Sequence, residues 1–121
     1  MDIEQFREYC LSLGEVTEKT PFGKFAPRFD SLLVFYVLDH MFCMFDMDYF
    51  TSVTVRTTPE EETELYLNYR SVSRPVNRAM KYWVQIDFNG DISDEKILSL
   101  TRRAYEIIKD KYSKKKNSLN K

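Results

Sequence analysis

At 121 residues, with 43% hydrophobic and 15% aromatic content, the chain has the length of one domain and enough apolar mass for a core. Its 18 basic and 19 acidic residues leave a formal charge of −1, which excludes global attraction to nucleic acid or anionic lipid, so any such binding must be local. Few glycines and prolines exclude a disordered or loop-dominated chain.

Ile3, Phe6, Cys10 and Leu13 share one helical face, with Glu4, Arg7 and Glu8 on the others, so residues 2–13 read as an amphipathic helix. Gly14 is the expected C′ residue. A loop follows over Glu15–Phe29, punctuated by Pro21, Gly23 and Pro27, with room for a short strand at Val16–Thr20. Ser31–Leu38, Met41–Met47 and Ser52–Thr57 read as three strands of an antiparallel meander. Asp39-His40 is the expected hairpin turn and Asp46–Tyr49 the second turn.

Thr58-Pro59-Glu60-Glu61 places an N-cap hydroxyl, a proline at N1 and a glutamate at N3, which starts a short helix ending near Asn68. Residues Arg70–Arg78 read as irregular and basic, Lys81–Phe88 as a strand, and Asn89-Gly90 as a turn. Ser93 caps the last helix, whose apolar stripe is Ile97, Leu100, Ala104, Ile107 and Ile108. The expected organisation is a single domain over residues 1–113, then a frayed polar basic tail over 114–121. Helices too short for parallel crossovers predict an α+β fold, a two-layer sandwich with an antiparallel sheet covered by helices.

Cys10 and Cys43 fall at apolar positions and read as small buried hydrophobes rather than a disulfide or metal pair. Met1-Asp2-Ile3-Glu4 is acidic where a secretory leader needs a cationic segment. The longest apolar run, within Leu32–Leu38, is too short to span a bilayer. No membrane association is expected, and the default compartment is the cytoplasm.

Catalytic chemistry has no visible set. His40, the one histidine, lies at the expected turn without a nucleophile, and no Cys/His spacing suits a metal. The acids at 60–64 read as a solvated first helical turn. Three isolated glycines build no phosphate cradle. The expectation is therefore no enzyme activity, no metal and no cofactor. The basic segment differs in kind: Arg70, Arg74, Arg78 and Lys81 occur with no acid among them, beside Tyr69, Tyr82 and Trp83. Arginine offers bidentate phosphate contacts and aromatic faces stack on bases. The bland reading has Trp83 inward as core and the arginines paired with acids.

Several stretches together resemble the MmcQ/YjbR family. They are Glu18 with Pro21-Phe22-Gly23, the strand pair around Val34–Met47, Thr58-Pro59-Glu60-Glu61, Lys81-Tyr82-Trp83-Val84, and a Ser/Asp-initiated helix running to Arg103-Ala104-Tyr105-Glu106. The resemblance spans roughly residues 3–112. It implies a fold similar to type III secretion chaperones, also described as frataxin-like (CyaY-like), with order α-β(3)-α-β(2)-α. It further implies a DNA-binding surface formed as a double wing. Where the family commonly reads Asn-Lys-Lys/Arg-His-Trp, Lys81 and Trp83 match, Tyr82 stands in the histidine place and Asn77 lies further upstream.

The expected function is a small DNA-binding module without catalysis, with contacts from Arg70, Arg74, Arg78 and Lys81 to phosphate and from Tyr82 or Trp83 to bases. The alternative is a chaperone-like protein-interaction module that uses an exposed sheet face or edge to hold a protein partner. The sequence leaves oligomeric state open.

Overall fold

The computed structural model describes residues 1–24, 30–75, 77 and 79–119, the side chains of 24 and 114–119 excepted. Helix α1 spans Ile3–Ser12. Asp2 caps it by accepting from the Gln5 N–H, and the Gln5 side chain accepts from the Asp2 N–H. Gly14 follows the C-cap Leu13 but does not adopt the left-handed conformation expected of a C′ glycine. Its reason is proximity, since a Cβ there would collide with the Tyr105 hydroxyl.

Six strands form one antiparallel sheet: β1 Val16–Lys19, β2 Leu32–Val37, β3 His40–Asp46, β4 Ser52–Arg56, β5 Val72–Ser73 and β6 Trp83–Asp87. Their order across the sheet is β1-β2-β3-β4-β6-β5. Helix α2, Pro59–Asn68, separates β4 from β5, and α3, Asp94–Leu119, closes the chain. The fold is the expected α+β arrangement of helices on an antiparallel sheet, with β1 as one strand more before α2 than the resemblance implied. A 3-10 turn over Pro21–Lys24 leads away from β1. Residues 114–119 continue α3 as helix, where a frayed tail was expected, and residues 120–121 lie outside the described residues.

Alternation along the strands sends one set of side chains to the helices. Leu33, Phe35, Phe45, Val53, Val84 and Ile86 are among the residues that meet Phe6 and Cys10 of α1 and Ile97, Ala104 and Ile108 of α3 in the main core. Phe6 sits at its centre, edge-on to Phe45 at 5.6 Å between centroids and to Phe88 at 6.1 Å. A register shift between Phe35 and Tyr36 lets the consecutive residues Phe42 and Cys43 both reach this side. Cys10 and Cys43 are free, buried thiols, and burial beside Cys10 pushes the Cys43 thiol well up.

The other face carries rows fixed by the register. One row runs Lys19, Val34, Met44, Thr54, Gln85 and Ser73. The next pairs Tyr36 with Met41 and Arg56 with Trp83. No helix covers these rows among the described residues. Val34, Met44 and Trp83 are nevertheless buried, in a second small cluster with Phe22, Tyr36, Met41 and Met80 packed against it. Phe22 thus anchors its Pro-Phe-Gly bend to the outer cluster rather than to the main core. Glu18 of the same stretch accepts from both the Nε and Nη2 of Arg7, tying the edge strand β1 to α1.

Helix α2 begins as expected, with the Thr58 hydroxyl accepting from the Glu61 N–H. The Glu61 carboxylate goes instead to Arg103 Nε of α3, at 2.9 Å. The hairpin between β2 and β3 closes at the Val37–His40 pair, so its loop is Leu38-Asp39 and not Asp39-His40. Both loop residues have positive φ, 51° and 63°, the requirement of a type I′ turn. Register is set by the apolar faces of both strands, and that fixes the loop whatever residues fall there. His40, displaced into β3, stacks on Tyr112 of α3 with centroids 3.4 Å apart.

Asp91 fastens the start of the basic segment. Its carboxylate accepts from the backbone N–H of Arg70 at 2.8 Å, the N–H of Ser71 at 3.0 Å and the Ser71 hydroxyl at 2.6 Å. These bonds, led by the Ser71 hydroxyl, hold the carboxyl down at about 2. Gly90 is needed beside this clasp because a Cβ would strike the Ser71 Oγ.

Two outcomes follow for stability. Leu38→Asn with Asp39→Gly supplies the residues that a type I′ turn favours and is expected to stabilise the fold by about 1 kcal/mol. Thermal melting should show this as a rise of roughly 3–6 °C; an unchanged or lower midpoint contradicts the turn assignment. The Asp91 carboxyl titrates lower in the folded chain than in the unfolded one, where its value is about 4. Its contribution is therefore complete above that value and is lost as pH falls from about 4 through about 2. Asp91→Asn should melt below the parent at neutral pH, with the gap closing over that acid window; an equal gap at all pH values contradicts the clasp.

Candidate nucleic-acid interface

The segment after β5 returns towards β6 through a run of local turns. The Asn77 side-chain oxygen accepts from the Ala79 N–H at 3.0 Å, and the Asn77 carbonyl accepts from the Met80 N–H at 3.1 Å. These bonds shape the approach to Lys81 and Tyr82. Tyr82 then adopts φ 67°, a left-handed conformation that a bulky side chain takes only when its surroundings impose it. What imposes it is Thr57, whose N–H and hydroxyl both donate to the Tyr82 carbonyl at 2.6 Å. Thr57 is itself almost wholly buried, so this latch is fixed to the fold.

The latch decides the direction of everything that follows. Trp83 turns to the outer face, opposite the main core, and is 8% exposed against Val34 and Met44. The sequence left Trp83 open between a base contact and an inward core residue; it anchors the outer cluster, because Val84 and Ile86 occupy the helix-facing positions of β6. The Tyr82 ring stands beside it, 40% exposed, with the Arg56 guanidinium 5.8 Å from its centroid.

A cleft of ≈ 130 Å³ opens between α2 and this segment, lined by Glu62, Tyr66, Arg74, Pro75, Asn77, Met80, Lys81, Tyr82 and Trp83. Glu62 and Tyr66 are one helical turn apart on α2 and so face it together. The Arg74 guanidinium lies 5.7 Å over the Tyr66 ring. Arg74 and Lys81 are exposed, and among the described residues neither has a carboxylate in salt-bridge reach. Glu62 Oε2 is buried and has no hydrogen-bond partner among the described residues.

The structure therefore places Arg74, Lys81, Tyr82 and Trp83 around one cleft. Arg70 is exposed, yet it is not on the cleft wall, since the Asp91 clasp holds its backbone at the far side of β5. Arg78 lies outside the described residues. Glu62, Tyr66 and Arg56 join the site from α2 and β4. Glu62 and Tyr66 have a sequence signal in their helical spacing, but nothing in the chain links that face to residues 74–83. Arg56 has only its place on the outward-facing set of β4.

A larger concavity of ≈ 550 Å³ lies elsewhere, walled by Leu13, Val16, Tyr36, Leu38, Tyr105 and Lys109 among others. It is open and formed by the β2–β3 hairpin, the chain from the end of α1 into β1, and the middle of α3, with no converging set of like charges. The smaller cleft is the better candidate because two exposed cations with no ion pair among the described residues and an exposed aromatic ring meet there. Among the described residues no group of three or more His, Cys, Asp or Glu could hold a metal ion, and no helix is long and apolar enough to cross a membrane.

Two solved structures share this fold. A Pseudomonas syringae protein aligns with a TM-score of 0.68 at 17% identity, covering 88% of this chain and 98% of its own. A Deinococcus radiodurans protein with a DUF419 domain aligns with a TM-score of 0.76 at 23% identity, covering 88% of this chain and 78% of its own. At such identities the likeness is one of fold. No curated protein matches the chain significantly. The YjbR family model matches residues 11–107, which include every strand, α2 and the cleft, and the chain belongs to the YjbR family.

Proposed function

We propose that the chain is a DNA-binding module that works without catalysis and engages nucleic acid at the cleft between α2 and β6. Arg74 and Lys81 contact phosphate, Arg56 supports them, and Tyr82 meets the bases. Trp83 is too buried for stacking and acts by packing. One observation carries the reading: two exposed cations, neither in salt-bridge reach of a carboxylate among the described residues, and an exposed tyrosine line one concavity of a chain whose net charge is −1. A locally unpaired positive site on a neutral protein fits a polyanion better than an uncharged ligand.

The protein-interaction alternative receives less support. Both sheet edges are short: β5 has two residues with Pro75 shortly after it, and β1 has four and carries Glu18 and Lys19. Short, charged or proline-blunted edges resist pairing with another strand. Of the large exposed hydrophobics, Tyr49 lies in the β3–β4 connection and Leu67 on α2.

Two phosphate contacts, with the Arg56 charge beside them, imply a duplex-binding salt slope of about −2 to −3 in log–log terms, hence weak binding at physiological salt. Fluorescence anisotropy against duplex and single-stranded DNA at two salt concentrations tests this. The parent should bind at low salt, and Arg74→Ala/Lys81→Ala should bind far more weakly, with its slope reduced by about 2. Absence of binding at low salt, or binding unchanged in the double variant, contradicts the reading.

A further inference from the structure

We propose that the cleft beside Tyr82 takes an unpaired base, so that the nucleic acid this protein prefers is single-stranded. The inference deepens the DNA-binding reading and rests on it.

Tyr82 supplies the first reason. A bulky residue in the left-handed region is strained, and strain persists where surrounding structure over-determines it. Here two hydrogen bonds from a buried threonine hold the backbone. The outcome is a ring held out at the cleft lip, 40% exposed, with a guanidinium beside it. With the backbone that carries it fixed beforehand, this ring loses less freedom when it meets a base face.

The second reason is the distribution of charge. The cations Arg74 and Lys81 are at the exposed rim, while the inner wall is built from Trp83, Met80 and Pro75 with the Glu62 carboxylate among them. A carboxylate repels phosphate, so phosphate stays at the rim. The same carboxylate accepts a hydrogen bond from a base amino group, as acidic side chains do from cytosine. Glu62 Oε2, buried without a partner among the described residues, is the acceptor such a donor would satisfy.

The third reason is size. A cleft of ≈ 130 Å³ is well below the roughly 300–1,000 Å³ of a pocket for a drug-sized ligand, which suits one small planar ring rather than a duplex groove edge. A duplex keeps its bases stacked inside and offers this rim only phosphate. A single strand offers phosphate to the rim and a base to the cleft.

The experiment is an anisotropy titration at low salt with three labelled probes of equal length: oligodeoxycytidine, a duplex, and a strand carrying abasic sites in place of its bases. The intact strand should bind roughly 5- to 100-fold more tightly than the abasic one. Tyr82→Leu should bring the intact strand down to the abasic level, and Tyr82→Phe should leave it unchanged. Equal binding of all three probes, still abolished in Arg74→Ala/Lys81→Ala, overturns the base-binding inference and leaves the DNA-binding reading standing. Failure of all three probes to bind overturns both. The abasic comparison needs no variant, so it decides the matter even if Tyr82→Leu folds poorly.

Discussion

Because successive residues of β6 point to opposite faces of the sheet, Val84 and Ile86 on the helix side force Trp83 and Gln85 to the other. The direction of Trp83 is therefore decided by the main core, together with the Thr57 latch on Tyr82 that precedes it. A buried indole on a face without helices needs a cover. Phe22 and Met80 pack against it, drawing in the Pro-Phe-Gly bend and the turn before β6. The cleft is what remains where this cover meets α2. Its existence follows from placing three helices on one side of a six-stranded sheet.

The same division explains how differently the two faces behave. On the helix side, Phe6, Phe45, Phe50 and Phe88 interlock, and deleting a ring of this kind costs about 3–5 kcal/mol. That side tolerates little change of use. The outer side buries three residues, of which only Val34 is fully enclosed, and leaves Tyr36, Met41 and Met80 half-covered around them. Partial cover leaves polar and cationic side chains at its margin, and there Arg56, Arg74 and Lys81 collect.

Local signals in the sequence were legible where the chemistry is local. Thr58-Pro59 and Ser93 cap their helices as their residue types demand, and alternating apolar residues located the central strands. What failed depended on neighbours distant in the chain. Gly14 looks like a helix terminator but is small because Tyr105 crosses it, and Gly90 is small because Ser71 does. Leu38 looks unsuited to a turn, yet the strand register puts it in one. Lys114–Lys116 read as a tail because their charges mark no core face; α3 nonetheless continues through them. At the candidate site, Arg74, Lys81 and Tyr82 could be named from their density along the chain. Glu62, Tyr66 and Arg56 could not, since only the fold brings α2 and β4 to that segment.

Trp83 offers a direct check, because it is the only tryptophan and lines the cleft. Its intrinsic fluorescence should show the blue-shifted emission of a buried indole in the free protein. On titration with a short single strand at low salt the emission should change in step with binding, and added salt should reverse the change. Red-shifted emission typical of exposed indole, or a signal unmoved at saturating oligonucleotide, contradicts a binding cleft built on a buried Trp83.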